Sequence, residues 1–447
     1  MDKNITDTFI QHIIKSQGPE LPGYIRKKAC MSLLDYLGCV YIGNIINKEA
    51  IDNLIKTSSV GENKILGTDH TADPGSAALI NGMNAHVAEL DDGHRMSTVH
   101  PGSVIISALL ASCSDKKISG DLFLKGLVSG YEAAIRLGEA VQPSLKLRGG
   151  HSSGTCGTVG AAVAVATVMN FSREQLKTSI AAACTSASGL LEMIDDSSQL
   201  KQYNVGQAAM NGYVSAMVAK SGLIGPDDPI GGERGFLRFM ADEYDEEKLT
   251  ASDGTYKIEQ IYVKPYASCR HSHPAIECVL KLAEERAIAF NDIDAIEIYT
   301  YKLAIPGHDR ADVKSVGAAK MSTPFAVASA IINKNAGIDA FSKDMITDKK
   351  IIELAKKVHI HEDEKMTAAS PGIRAAETTI SFTDGDKFTK RVDFPLGEPE
   401  NPMSENKIIN KFESLAIAAG LSEDKIKSII KATLSVDEDL TRWLKTI

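Results

Sequence analysis

Several broad classes are excluded by what this 447-residue sequence lacks. No Cys-x-x-Cys pair occurs, and the seven cysteines make an odd count. Cys30, Cys39, Cys113, Cys156, Cys184, Cys269 and Cys278 lie mostly in apolar text. They read as free thiols of a reducing compartment rather than as a disulfide framework, so a cytoplasmic location is expected. The start, MDKNITDTFIQHIIKSQGPE, has no basic patch leading into an apolar run, which argues against a secretory leader. No window offers the roughly 20 uninterrupted apolar residues of a membrane span, so no membrane partner is expected. The formal net charge is −9 and no lysine–arginine cluster stands out. A nucleic-acid partner is therefore not expected either. Repeats and low-complexity tracts are also missing. An acidic chain binds an anion only by gathering its few cations into one pocket, which directs attention to lysines and histidines in unusual settings.

What is present is a globular composition, 43% hydrophobic and 24% charged. The length suits two or three domains. The first half reads as successive helices. Residues 25–42 and 120–141 carry apolar residues three and four apart, and Ser119 is a plausible cap for the second. Residues 155–169 are almost all small or apolar, which predicts a helix buried on every side. Ser172 with Gln175 suggests a capping box, and 205–220 repeats the small-residue style.

The pattern changes near Ile258. Residues 257–263 can be a strand, 273–285 a helix, and 293–301 a strand. Residues 378–382 and 388–394 flank Asp384-Gly385-Asp386 as a hairpin. Residues 319–332 and 349–357 look helical, as do 404–418 and 422–435 after Gly397. The expected fold is mostly α with an inserted α+β domain. A helical domain is made by 1–258 and 398–447, and 259–397 form a smaller unit with an antiparallel sheet. A cleft between the two is the expected ligand site.

Four segments could carry chemistry. HVAELDDGHRMSTVHPG (86–102) holds Asp91, Asp92, His94, Arg95 and His100 in a helix-breaking loop. It reads as a polar surface loop with a capping aspartate, as a metal site without matched spacing, or as an acid–base loop. RGGHSSGTCG (148–157) places His151, Ser152 and Ser153 where a helix begins. Free N–H groups there suit a carboxylate, and simple capping is the plainer alternative. Lys201, in LKQYNVG, precedes another small-residue helix and on its own is a solvated lysine. VKPYASCRHSHP (263–274) crowds Lys264, Cys269, Arg270, His271 and His273. A metal reading of Cys269-x-His271-x-His273 is set aside, because alternate loop residues rarely converge on one ion. A nucleophilic Cys269 has no local oxyanion hole to support it.

In order along nearly the whole chain, AELDDGHR…HPG, GGHSSGTCG, LKQYNVGQAA, KPYASCRHSHPAIE and PLGEPENPMSENKIINKF resemble the MmgE/PrpD family. That family includes 2-methylcitrate dehydratase, cis-aconitate decarboxylase and iminodisuccinate epimerase. The resemblance implies a helical domain with an inserted α+β lid, a homodimer, no cofactor and no metal. It implies a small anionic polycarboxylate as substrate, handled by His100, His151, Lys201, Lys264 and Asp91. Asp92, His94, Arg95, Ser152, Ser153, Cys269, Arg270, His271 and Phe325 would contact it. Cys269 falls where the decarboxylase has a histidine, Phe325 where many members have a tyrosine. Glu89 and Gly93 stand in for an aspartate and a threonine of the decarboxylase. These departures argue against the decarboxylase and leave the reaction open among the rest; a dehydratase is the expected type, with an epimerase as the alternative. Outside enzymes, a non-catalytic polycarboxylate-binding protein would fit the same residues.

Overall fold

The computed structural model describes residues 4–113, 118–194, 198–251, 254–286 and 288–447. Small residues set the helical body. The helix Ser152–Val168 has nearly every side chain buried, as its Gly/Ala/Val text requires. It packs among Pro101–Ser112, Gly120–Val141 and Leu200–Lys220. Backbones touch where side chains vanish: a Cβ on Gly206 would stand 2.2 Å from the Leu79 carbonyl oxygen. Ser119 caps Gly120–Val141, and Ser172 with Gln175 forms a complete capping box.

The chain's end returns to this body. Phe412, Ile429 and Trp443 join Phe9, Leu37, Ile105 and Phe123 in one apolar core. The Trp443 ring lies 5.4 Å from that of Phe123, and its N–H donates to Thr433. One helix, Gly23–Ile46, is markedly apolar although Asp35 interrupts it. It is long and apolar enough to cross a membrane by length and composition, but it is buried against other helices of the body.

A second core belongs to the α+β unit. Ile296, Ile298 and Ile380 of the sheet meet Ile276 and Val279 of the helix His273–Glu285 and Val327 of Thr323–Asn333. The strand Ala376–Phe382 alternates as its text does, with Ala376, Thr378, Ile380 and Phe382 buried. Among the described residues the sheet is mixed rather than antiparallel. Its order is Val358–Glu362, Ile293–Thr300, Ala376–Phe382, Lys387–Val392, and only the first pair is parallel. The connection between that pair carries helices, the usual condition for a parallel crossover.

Two other elements differ from expectation. Residues 257–263 are not a strand: Lys257–Gln260 is a 3₁₀ turn. Tyr262 N–H then donates to Gly93 and Val263 N–H to Gly397, so the segment's backbone is used to link other loops. The stretch 319–332 is two helices, broken at Ser322, whose hydroxyl caps the second.

Candidate active site

The segment 88–100 joins the helices Pro74–Val87 and Pro101–Ser112 and is held from several sides. Lys320 donates to the carbonyls of Val87 and Ala88 at 3.3 and 3.1 Å. Lys411, from the returning C-terminal helix, donates to Leu90 at 2.6 Å, and Arg374 to Arg95 at 2.6 Å. Such over-determination can hold strained backbone. Glu89 and Thr98 both sit at φ 54, where a side chain costs energy, a condition that clusters at functional sites.

This loop brings an imidazole–carboxylate cluster together. Asp91 Oδ2 accepts from Ser103 at 2.7 Å and lies 2.8 Å from His86 Nδ1 and 3.6 Å from His100 Nδ1. The two rings meet edge-on at 4.9 Å. His100 Nδ1 lies 2.8 Å from the Asp92 carbonyl oxygen, which can only accept, so Nδ1 carries the hydrogen and Nε2 the lone pair. Burial, the largest influence, holds His100 well below its ordinary value against the pull of Asp91. It is therefore a neutral base. Burial pushes the Asp91 carboxyl up, but His86 and His100 outweigh it and leave it well below the usual range. His86 Nε2 and Asp91 Oδ1 are buried with no hydrogen-bond partner, a state native proteins mostly reserve for special sites.

Beside this cluster, Glu89 is clasped by two ammonium groups. Lys264 donates to Oε2 at 3.0 Å, and Lys201 pairs with Oε1. Burial opposes the charge on Glu89, yet the two lysines hold it well below the ordinary range. Lys201 does not precede its helix but sits in its first turn, since the helix begins at Leu200. His151 is the residue before Ser152–Val168. Its Nδ1 donates to Asn204 Oδ1 at 2.7 Å, and Asn204 is oriented by its own bond to the Ser188 carbonyl. Burial drives His151 down to about 3, and Lys201, His86 and Glu89 all act on it.

The 263–274 segment behaves unlike the expectation for alternate loop residues. Cys269 and His271 do converge, and His308 joins them, with donor atoms within 4.8 Å of one another. Lys146, Arg374 and Lys201 bear on His271, a positive surround that repels a cation and suits an anion. Lys201 and Glu89 also act on Cys269, which ties this group to the first.

Other sequence-predicted contacts lie in supporting positions. Asp92 accepts from Gly102 N–H at 2.9 Å and from Tyr131 at 2.6 Å, and burial lifts it to about 7, so it caps a helix. His94 is turned to Ser97 and Glu139. Arg95 is taken up by Glu398 and Glu400, and Arg270 by Glu398, His273 and the Pro395 carbonyl. Ser152 bonds Thr98 and Gln142, while the Ser153 hydroxyl accepts the His100 N–H at 2.9 Å. Both serines position the loop. Phe325 packs on Phe341 within the core of the α+β unit, 6.0 Å between rings, so its ring has no share in a polar pocket.

Sequence reasoning missed His86, His308 and Lys320, and named Glu89 only as a replacement for an aspartate, not as a site residue. His86 and Glu89 lie in the quoted 86–102 text, five and two residues from Asp91, and helix-end spacing was the available signal. His308 and Lys320 carry no local signal, because tertiary structure alone brings them to the site.

A helical body, an α+β unit packed on it and a buried imidazole–lysine cluster between them define a class of two-part acid–base proteins. The MmgE/PrpD N-terminal domain pattern matches residues 8–248 and the C-terminal domain pattern residues 266–436. The chain belongs to the MmgE/PrpD family. It is similar to cis-aconitate decarboxylase of Aspergillus terreus (strain NIH 2624 / FGSC A1156), 25% identical over 460 residues, covering 96% of this chain and 92% of that one. It is also similar to cis-aconitate decarboxylase of Homo sapiens, 24% identical over 457 residues, covering 98% and 93%. Decarboxylases of this kind are lyases.

Proposed function

We propose that the chain is a carbon–oxygen lyase that dehydrates a small di- or tricarboxylate by acid–base chemistry. The observation that carries this reading is His100, a buried neutral imidazole with its lone pair on Nε2 and its other nitrogen fixed by a carbonyl. A proton beside a carboxylate is very weakly acidic. Its removal needs a placed base together with cations on the anion that forms. His100 takes the proton, the Asp92 carbonyl holds the ring, and Asp91 offsets the charge it acquires. Lys201 and Lys264 exchange Glu89 for a substrate carboxylate. His151, at a helix N-terminus, faces a second carboxylate where the dipole favours negative charge.

A second reading, decarboxylation, is supported by the similar proteins. Against it stand Glu89, Gly93 and Cys269, where the decarboxylase pattern has aspartate, threonine and histidine. Gly93 is the sharpest departure. A Cβ there would lie 2.3 Å from Tyr262 Oη, so Tyr262 fills the space that a threonine would need.

The test is proton NMR in deuterated water with citrate, 2-methylcitrate, cis-aconitate and iminodisuccinate. Loss of water to an alkene supports the proposal. Loss of carboxylate favours decarboxylation, and deuterium wash-in with inversion favours an epimerase. Binding of these acids without any turnover would leave only a polycarboxylate-binding protein.

A further inference from the structure

We infer that Cys269 and His308 form a second proton-holding pair, carried by the α+β unit, that acts on the substrate opposite His100. This deepens the dehydratase reading and rests on it for the identity of the step. Cys269 Sγ lies 4.0 Å from His308 Nε2. His308 Nδ1 donates to the Met321 carbonyl at 2.7 Å, which fixes the ring and leaves Nε2 as the atom facing sulfur. A thiol, an imidazole and an orienting acceptor in series are the arrangement that activates a cysteine. The His271 ring lies 5.1 Å from that of His308, tilted at 48°, and is tied through Nδ1 to Tyr301 at 2.5 Å, which packs the pair from one side. The Cys269 N–H donates to the Lys320 carbonyl at 2.8 Å, and Lys320 in turn holds the carbonyls just before Glu89. The pair is thus built onto the same frame as the imidazole–lysine cluster.

Cys269 is partly exposed while His308 is buried, so the sulfur is the contact atom and His308 the positioning residue. Burial opposes a thiolate at Cys269, but His308 wins and brings the thiol down to about 6. Burial lowers His308, and the sulfur more than restores it, leaving its net direction upward. The remaining cysteines are pushed up by burial, Cys30, Cys113, Cys156 and Cys278 to about 12. One proton is therefore shared between Sγ and Nε2 near neutral pH.

In the elimination, His100 Nε2 takes the α-proton and the C–H electron pair becomes the new C=C bond. The C–O bond breaks, and its electron pair leaves with the hydroxyl. Sulfur gives that hydroxyl a proton as Nε2 passes its own to sulfur, so water departs. The pair is left as thiolate and neutral imidazole. Solvent then returns one proton to the pair and removes one from His100.

The test begins without any substrate. The rate of iodoacetamide alkylation is followed against pH on the full chain, with the modified peptide identified by mass spectrometry. The expected result is selective labelling of Cys269 with a midpoint near 6. His308→Gln should move that midpoint toward the ordinary thiol range, about 8.5. His308→Asn serves if the first variant does not fold. A wild-type midpoint above 8, or one that neither variant moves, overturns the pair whether or not turnover is found. Citrate and cis-aconitate should slow the labelling, and no protection at saturating concentration would place the pair outside the substrate site. With a turned-over acid in hand, Cys269→Ala should lower kcat at least about 100-fold while deuterium still exchanges at the α-carbon. Full dehydration by Cys269→Ala overturns the role. A shifted midpoint with no turnover by any acid would overturn the dehydratase reading alone.

Discussion

Two buried glutamates in this protein each sit between two cations, and the two arrangements do opposite things. Glu398 receives Arg95 and Arg270, each at 2.9 Å. Glu89 receives Lys201 and Lys264. The guanidiniums have committed their forks. Arg270 also meets His273 and the Pro395 carbonyl and lies 4.8 Å over Tyr262. Arg95 also meets Glu400 and lies 5.5 Å over Phe394. Planar donors fixed in this way make a pin between the 88–100 loop and the 395–400 turn. The ammonium groups at Glu89 are point charges on flexible stems and can turn to a new partner. Their carboxylate sits on strained backbone at φ 54. The comparison teaches that burial alone does not mark function. A buried charge is available for chemistry when its partners are few and rotatable, and structural when its partners are several and fixed.

The largest expected effect lies in the pocket. His100→Ala should lower kcat/KM about 1,000-fold or more while the urea unfolding midpoint stays near that of wild type. A variant that keeps most of its activity would remove the base from the proposal. The next effect lies in the pin. Glu398→Ala leaves the buried Arg270 guanidinium without its carboxylate, while Arg95 keeps Glu400, and should cost about 3–5 kcal/mol of stability. Denaturant unfolding measures this, and a cost under about 1 kcal/mol would show that the cluster is not a pin. Lys201→Met separates the two sites most directly. Glu89 keeps Lys264, so stability should change little, whereas KM should rise about 100-fold through the lost carboxylate contact.

The same contrast explains what the sequence could tell. The helical body was legible because its periodicity and caps are local: Gly120–Val141 and its Ser119 cap are where the text puts them. The hairpin around Asp384-Gly385-Asp386 was legible for the same reason. The parallel strand pair was not, because pairing across a helical crossover leaves no local mark. In the site, spacing could group Asp91 with His100, since one loop carries both. It could not tell Arg95 and Arg270, paired with a glutamate about 300 and 130 residues further on, from cations free to bind substrate. Nor could it find His308, which meets Cys269 across 39 residues.

Acid stability offers the finest comparison, between a histidine beside the pin and one beside the pocket. His94 and His151 are both driven by burial from an ordinary 6.5 down to about 3. Above pH 6.5 neither the folded nor the unfolded chain protonates these rings, and stability is at its full value. Below it the unfolded chain takes up the proton and the folded chain does not. Stability then falls by about 1.4 kcal/mol per pH unit per ring until the folded value near 3 is approached. His94→Gln and His151→Gln should each remove one such slope from urea midpoints measured between pH 7 and pH 4. They should differ in turnover at pH 7. Both ring nitrogens of His94 face Ser97 and Glu139, while His151 feels Lys201 and Glu89. A wild-type slope in both variants would mean that burial does not keep these imidazoles neutral. Equal loss of turnover in both would mean that pin and pocket work as one unit, and the distinction drawn between the two glutamates would fail.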